Sequence, residues 1–242
     1  MSGRPIPVLE IFGPTVQGEG RFIGQKTMFV RTAGCDYSCN WCDSAFTWDG
    51  SAASEIRLLS AEKVLRELTE LGGDSFAHVT LSGGNPALLP QLGELIDLLH
   101  GQGMTVALET QGSRYQSWFR EVDELTLSPK PPSSGMATDW ARLDDIVERL
   151  ADRQEQTSLK VVVFDEQDLA YAESVYARYP EMTMVVQPGN GELAESDSQR
   201  MLAYLVSRYE WLVEAVLRSA SLRRVRVLPQ LHTWLWGNKR GV

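Results

Sequence analysis

The stretch His78-Val-Thr-Leu-Ser-Gly-Gly-Asn-Pro86, followed by Ala87–His100, Gly101 and then Thr105-Val-Ala-Leu108, decides the fold class. A short apolar run ends in a glycine turn, residues at helical apolar spacing follow, and a second apolar, β-branched run succeeds them. This is a strand, a helix and a strand. A connection of that length joins parallel neighbours, not the arms of a hairpin.

The pattern repeats outward in both directions. Thr27–Arg31, Glu124–Leu127, Leu159–Phe164, Met182–Val186 and Val225–Leu228 are further strand candidates. Ala61–Leu71 is a helix candidate, with Ser60 as N-cap and Gly72 just beyond its end. Leu143–Leu150, Glu166–Tyr179 and Ser198–Ala220 complete the helices. No repeat, low-complexity tract or linker divides the chain, so residues 1–242 are expected to form a single domain. About six or seven strands are too few for a closed eight-stranded barrel. The expected fold is therefore α/β, an open or partial β/α barrel. In such folds functional groups gather on loops leaving the C-terminal ends of the strands. Here those loops are Cys35–Asp43, Ser82–Pro86, Glu109–Gly112, Ser128–Pro132 and Gln187–Asn190.

Composition narrows the partners. A formal charge of −9 lacks the basic footprint of a nucleic-acid binder. The local cluster Arg218, Arg223, Arg224 and Arg226 reads as a solvated helix end and strand edge. No apolar run approaches membrane-spanning length, and no secretory signal opens the chain, so a cytoplasmic location is expected.

All three cysteines fall in one loop, Cys35-Asp-Tyr-Ser-Cys39-Asn-Trp-Cys42, directly after a predicted strand. An odd, clustered set is not a disulfide framework. Thiolates suit zinc or an iron–sulfur cluster. A structural zinc site closes with four protein ligands, yet His78, His100 and His232 all lie away from the loop in sequence. Three cysteines on a four-iron, four-sulfur cluster instead leave one iron open to chelate a small molecule.

The C-x3-C-x2-C spacing resembles that of the radical S-adenosylmethionine (SAM) superfamily. The resemblance implies a [4Fe-4S] cluster on Cys35, Cys39 and Cys42, with SAM on the open iron. It also implies that Trp41, Cys42 and Asp43 lie beside SAM, and that Gly84 in Ser82-Gly-Gly-Asn-Pro86 belongs to the glycine motif that meets its methionine part. Asn85 stands where the family usually has an acidic residue, and its effect is open. Glu109, Ser128, Pro129, Lys130 and Gln187, at later strand ends, are further candidate SAM contacts. For Glu109 and Lys130 the alternative is a buried or rim ion pair.

A narrower resemblance runs along the whole chain. Glu10-Ile-Phe-Gly-Pro-Thr-Val-Gln17-Gly-Glu-Gly20, Arg31, Cys42-Asp-Ser44, Ser128-Pro-Lys-Pro-Pro132 and the tail from Leu228 to Val242 resemble the 7-carboxy-7-deazaguanine synthase family. That family converts 6-carboxy-5,6,7,8-tetrahydropterin to 7-carboxy-7-deazaguanine and ammonia, for queuosine and other 7-deazapurines. Residues 1–25 are then a substrate-binding segment. Val16, Gln17, Gly18 and Glu19 can read the pterin edge, together with Ser82. Arg31 can hold the carboxylate, and Arg31 and Glu19 are the candidate catalytic residues. The resemblance also implies Mg2+ on Ser44, a homodimer, and a reductant protein such as flavodoxin. For Gln17–Gly20 the alternative is an ordinary hairpin turn, and for Arg31 a surface ion pair. Two other functions compete: a glycyl-radical-enzyme activase, and a non-catalytic zinc- or cluster-binding module. The sequence assigns no role to the Asp49–Arg57 insertion.

Overall fold

The computed structural model describes residues 4–242, so the first three residues of the expected substrate-binding segment lie outside the described residues. Its strands are β1 (Ile6–Val16), β2 (Lys26–Thr32), β3 (Arg57–Leu59), β4 (His78–Gly83), β5 (Thr105–Thr110), β6 (Glu124–Leu127), β7 (Thr157–Val163), β8 (Thr183–Pro188) and β9 (Arg226–Val227). They form one sheet in the order β3-β1-β2-β4-β5-β6-β7-β8-β9, whose two edges do not pair with each other. From β2 to β9 every pairing is parallel. These seven strands are the seven expected from the sequence, and the barrel is open as expected.

Two strands were not anticipated. β1 pairs antiparallel with β2 and with β3. Its Pro7, Gly13 and Pro14 break the apolar alternation, and its register slips twice against β2. Pro14 is tolerated because β3 covers β1 only over Ile6–Val8, which leaves the remaining length an edge. β3 begins at Arg57, the last residue of the Asp49–Arg57 insertion, so the insertion leads into the sheet's outer strand.

Side-chain alternation separates the two faces of the sheet. Met28, Val30, Val79, Leu81, Val106, Leu108, Leu125, Leu127, Leu159, Val161, Met184 and Val186 point into the aliphatic core under the helices. The residues between them, among them Arg31, Ser82, Glu109, Thr126, Lys160 and Gln187, take the other face. One face of the sheet therefore packs, and the other carries chemistry.

The helices are α1 (Ala61–Gly72), α2 (Leu92–Gly101), α3 (Trp140–Arg149), α4 (Glu166–Arg178), α5 (Ser198–Arg218) and α6 (Leu231–Trp236). The Ser60 hydroxyl accepts from Lys63 N–H as the expected cap of α1. Helix α2 starts five residues later than Ala87. Pro90 lacks a donor and holds Leu89 extended at φ −112°, ψ 89°, so Pro86–Leu88 forms only a 3-10 turn. Helix α3 begins earlier, at the Asp139 cap, whose carboxylate accepts from Arg142 N–H. The six-residue α6 was not expected.

Candidate active site

A cavity of about 340 Å3 opens at the C-terminal ends of the parallel strands. Its wall brings together the turn after β1, Arg31 at the end of β2, all three cysteines, the glycine turn after β4, and Glu109–Gln111 at the end of β5. Lys130 and residues of the C-terminal tail close the remaining side.

The cysteine loop is held from several directions. Tyr37 N–H donates to Cys35 Sγ at 3.4 Å, and Trp48 Nε1 donates to Cys42 Sγ at 3.4 Å. Asn40 N–H donates to Ser134 O at 2.9 Å. Burial pushes the Cys39 thiol up to about 11, with Cys35 and Cys42 adding to the rise and Lys130 opposing it. Thiols crowded in this way become thiolates only with cationic charge among them, which a metal cluster held by Cys35, Cys39 and Cys42 would supply. Among the described residues, the group of three metal-competent side chains that converge within 4.8 Å of one another is Glu19, Asp43 and His232, not the cysteines. Three thiols from one loop line the cavity, one ligand short of the four that close a structural zinc site and matching a cluster that leaves one iron open.

The glycine turn packs against this loop backbone to backbone. A Cβ on Gly84 would stand 2.2 Å from Gly34 O, and one on Gly83, at φ +143°, would stand 2.2 Å from Thr32 O. Asn85, fully buried, makes the joint. Its Nδ2 donates to Asp36 Oδ1 at 2.8 Å and Ser113 Oγ at 3.0 Å, while its Oδ1 accepts from Thr110 Oγ1 at 2.7 Å and Ala87 N–H at 3.2 Å. That uses the full capacity of the amide. A carboxylate in its place would supply neither donor. The Ser82 hydroxyl is buried on the cavity wall without a protein partner, as a group that meets a bound ligand would be.

Glu19 lines the same cavity from the turn that joins β1 to β2, and its carboxylate comes within 4.8 Å of that of Asp43 beside the cysteine loop. This turn is a hairpin connection, closed by Gln17 N–H to Gln25 O at 2.7 Å, and it also faces the cavity. Lys160 of β7, 2% exposed, donates to both Glu19 and Glu109. Gln230 Nε2 donates to Glu19 Oε1 at 2.7 Å, and His232 Nε2 lies 3.9 Å away. Burial works against the Glu19 charge, but Lys160 and His232 outweigh it and hold the carboxyl well below the usual carboxylate range. Burial likewise works against the Lys160 charge, and Glu109 and Glu19 overcome it, raising its pKa. Glu109 is thus ion-paired, but with Lys160. Lys130 instead donates to Ser128 Oγ at 3.2 Å.

Arg31 is not a plain surface pair. Its Nε lies 2.8 Å from Glu10 Oε2, its Nη1 donates to Ser44 Oγ at 2.9 Å, and its guanidinium rests on Phe12 and Phe46. Ser44 in turn donates to Asp43 Oδ1 at 3.1 Å. Arg240 from the tail pairs with the same Glu10 and with Glu55 of the insertion, and lies 4.1 Å over Phe46.

Of the residues expected from the sequence, Val16, Gln17, Gly18, Glu19, Arg31, Trp41, Asp43, Ser44, Ser82, Gly84, Glu109 and Lys130 line the cavity with the cysteines. Trp41 donates from Nε1 to Ser133 Oγ at 2.9 Å and packs its ring on Phe164. Ser128, Pro129 and Gln187 stand off the wall: Ser128 and Gln187 are buried in the sheet, with Gln187 beside Glu19. The sequence reading missed Lys160, Gln230 and His232. A lysine inside an apolar strand was a signal for the first. For the tail residues there was only the resemblance of the segment as a whole.

Comparison with known proteins agrees with this geometry. The pattern of the Radical SAM superfamily matches residues 29–129. The chain is 59% identical over 239 residues to the 7-carboxy-7-deazaguanine synthase of Bacillus subtilis (strain 168), covering 98% of each chain. It is 54% identical over 237 residues to the Bacillus cereus protein of the same name, covering 98% of this chain and 99% of that one. The crystal structure of QueE from Escherichia coli has the same fold, with a TM-score of 0.64 at 24% identity over 94% of each chain.

Proposed function

The chain belongs to the 7-carboxy-7-deazaguanine synthase family of radical SAM enzymes, and from that premise we propose that it contracts 6-carboxy-5,6,7,8-tetrahydropterin to 7-carboxy-7-deazaguanine with loss of ammonia. The observation that carries the reading is one cavity lined by the cysteine loop together with Glu19 and Arg31. When bound, the cluster and SAM supply one-electron cleavage of a sulfonium and a carbon radical able to abstract hydrogen. The protein's part is to bind, orient and exclude water.

Glu19, held anionic, accepts from the donor edge of the pterin, and backbone groups of Val16–Gly18 border the same edge. Arg31 holds the substrate carboxylate through the part of its guanidinium that Glu10 and Ser44 leave unused. Ser44 and Asp43 offer hard oxygen donors of the kind magnesium takes, so a bound Mg2+ would sit beside that carboxylate. Ser82 stands with the substrate contacts, and Trp41, Gly84, Glu109 and Lys130 border the space for SAM. The tail, with α6 docked through Leu231 N–H to Gly18 O at 2.8 Å, shields the site from water. A reductant protein such as flavodoxin and a homodimeric assembly belong to the same reading. No described helix is long and apolar enough to cross a membrane.

An activase acting on a protein backbone would need an open groove, and a walled cavity of this size suits a small substrate better. The test is anaerobic turnover of the reconstituted protein with 6-carboxytetrahydropterin. Wild type should form 7-carboxy-7-deazaguanine. Arg31→Ala should lose product yet still cleave SAM slowly, and Arg31→Lys should recover only part, since a point charge does not reproduce a planar fork. A cluster-loaded wild type that cleaves SAM but makes no product would move the activase reading ahead.

A further inference from the structure

Lys160 has no part in the chemistry above, and it does not reach the cavity. It is buried in β7, yet both of its partners line the wall. Glu19 comes from the turn after β1 and Glu109 from the end of β5, two segments distant in sequence that meet at this one buried cation. Gly20, next to Glu19, lies over the lysine stem, since a Cβ there would stand 3.8 Å from Lys160 Cδ. The ammonium is thus the meeting point of the substrate turn and the strand end that faces SAM.

We propose that Lys160 is a positioning residue for the reaction, a buried cation that ties Glu19 to Glu109 and so fixes the pterin-reading turn relative to the SAM side of the cavity. This rests on the reading of Glu19 as a substrate contact. A neutral side chain would not serve. Two carboxylates brought to one buried point repel, and without a cation one of them takes up a proton or swings away. Gln230 donates a neutral hydrogen bond to Glu19, and His232 stands 3.9 Å off, so neither replaces a buried charge. A tetrahedral ammonium has three donors and can address two carboxylates arriving from different strands. Displacing Glu19 by a fraction of an ångström moves the substrate relative to the SAM carbon, and such shifts cost rate steeply.

The test is Lys160→Gln, loaded with cluster under anaerobic conditions and compared with wild type in three readouts: iron content with abortive SAM cleavage, KM for 6-carboxytetrahydropterin, and product formed per SAM cleaved. The expected result is abortive cleavage within about twofold of wild type, KM raised by roughly tenfold or more, and a clear fall in product per SAM cleaved. A lysine that merely fills space would lower stability and leave the ratio of product to SAM cleaved unchanged. A folded, cluster-loaded Lys160→Gln with wild-type KM and coupling overturns the proposal. Should Lys160→Gln fail to fold, Lys160→Arg decides, because it keeps the charge. Product per SAM at no less than about half the wild-type ratio supports the role, and a folded, cluster-loaded but fully uncoupled Arg variant overturns it. A wild type that makes no product at all refutes the pterin reading itself and this inference with it, which separates the two failures.

Discussion

Replacing Asn85 by alanine should be among the most damaging single changes that leave all cluster ligands and substrate contacts in place. The amide makes four hydrogen bonds. Asp36 is exposed and keeps its bond from Gln111 Nε2 at 2.6 Å, and Ser113, 9% exposed, loses only a bond that its hydroxyl oxygen accepts. These two partners can recover at modest cost. Thr110, 2% exposed, and the fully buried Ala87 cannot be reached by water. Each stranded buried group costs about 1–3 kcal/mol, so the pair gives roughly 4 kcal/mol. For a chain of this size that is a fall in Tm of about 8–16 °C. Asn85→Asp should do harm by a different route: it keeps the acceptor but faces Asp36 with a like charge and no donor. The assay is thermal unfolding of the metal-free protein by circular dichroism, with iron retention after anaerobic reconstitution measured in parallel. If Asn85→Ala lowers Tm by less than about 2 °C and holds iron as wild type does, the joint between the two loops is not what the bond geometry indicates.

Other outcomes follow from single contacts. Gly84→Ala forces a methyl group against the Gly34 carbonyl, so the two loops must part; SAM binding should weaken about tenfold or more by equilibrium dialysis, with helix content unchanged. Cys39→Ala should fail to retain a four-iron cluster, seen as loss of the brown absorbance; stoichiometric zinc in wild type would contradict this. Arg240→Gln releases the tail from Glu10 and Glu55 at a partly exposed site, which should cost about 1 kcal/mol by denaturant unfolding and raise the substrate KM severalfold. Glu19 has a depressed folded pKa, so the stability tied to its charge is complete above the unfolded value near 4.3 and is lost only as pH falls through the folded value. Glu19 should accordingly add no slope to Tm between about pH 7 and pH 5; a loss in that window that Glu19→Gln abolishes would show that the carboxyl titrates higher.

The parallel strands were legible because each is a short apolar run bounded by turn residues, and period-two alternation within them sends Arg31, Ser82 and Glu109 to one face. The cysteine loop was legible from spacing alone. What escaped the sequence depends on contacts between distant residues. Nothing near Lys160 announces its partners, since Glu19 lies 141 positions away and Glu109 lies 51. Gln230 meets Glu19 across 211 positions. Strand β1 was hidden by its prolines and glycine, β3 by its three-residue length and α6 by its six. The late start of α2 was readable in principle from Pro90, but the apolar periodicity on either side masked it.

The most direct test of the central claim is label transfer. Substrate carrying deuterium at C6 is incubated with the reconstituted enzyme, SAM and a low-potential reductant without oxygen, and SAM and product are analysed by mass spectrometry. In the proposed reaction the adenosyl radical takes the C6 hydrogen and SAM is re-formed at the end of the cycle, so 7-carboxy-7-deazaguanine should appear together with deuterium in the adenosyl carbon of SAM, both lost in Arg31→Ala. Full cluster loading and SAM cleavage with neither product nor label in SAM would contradict it.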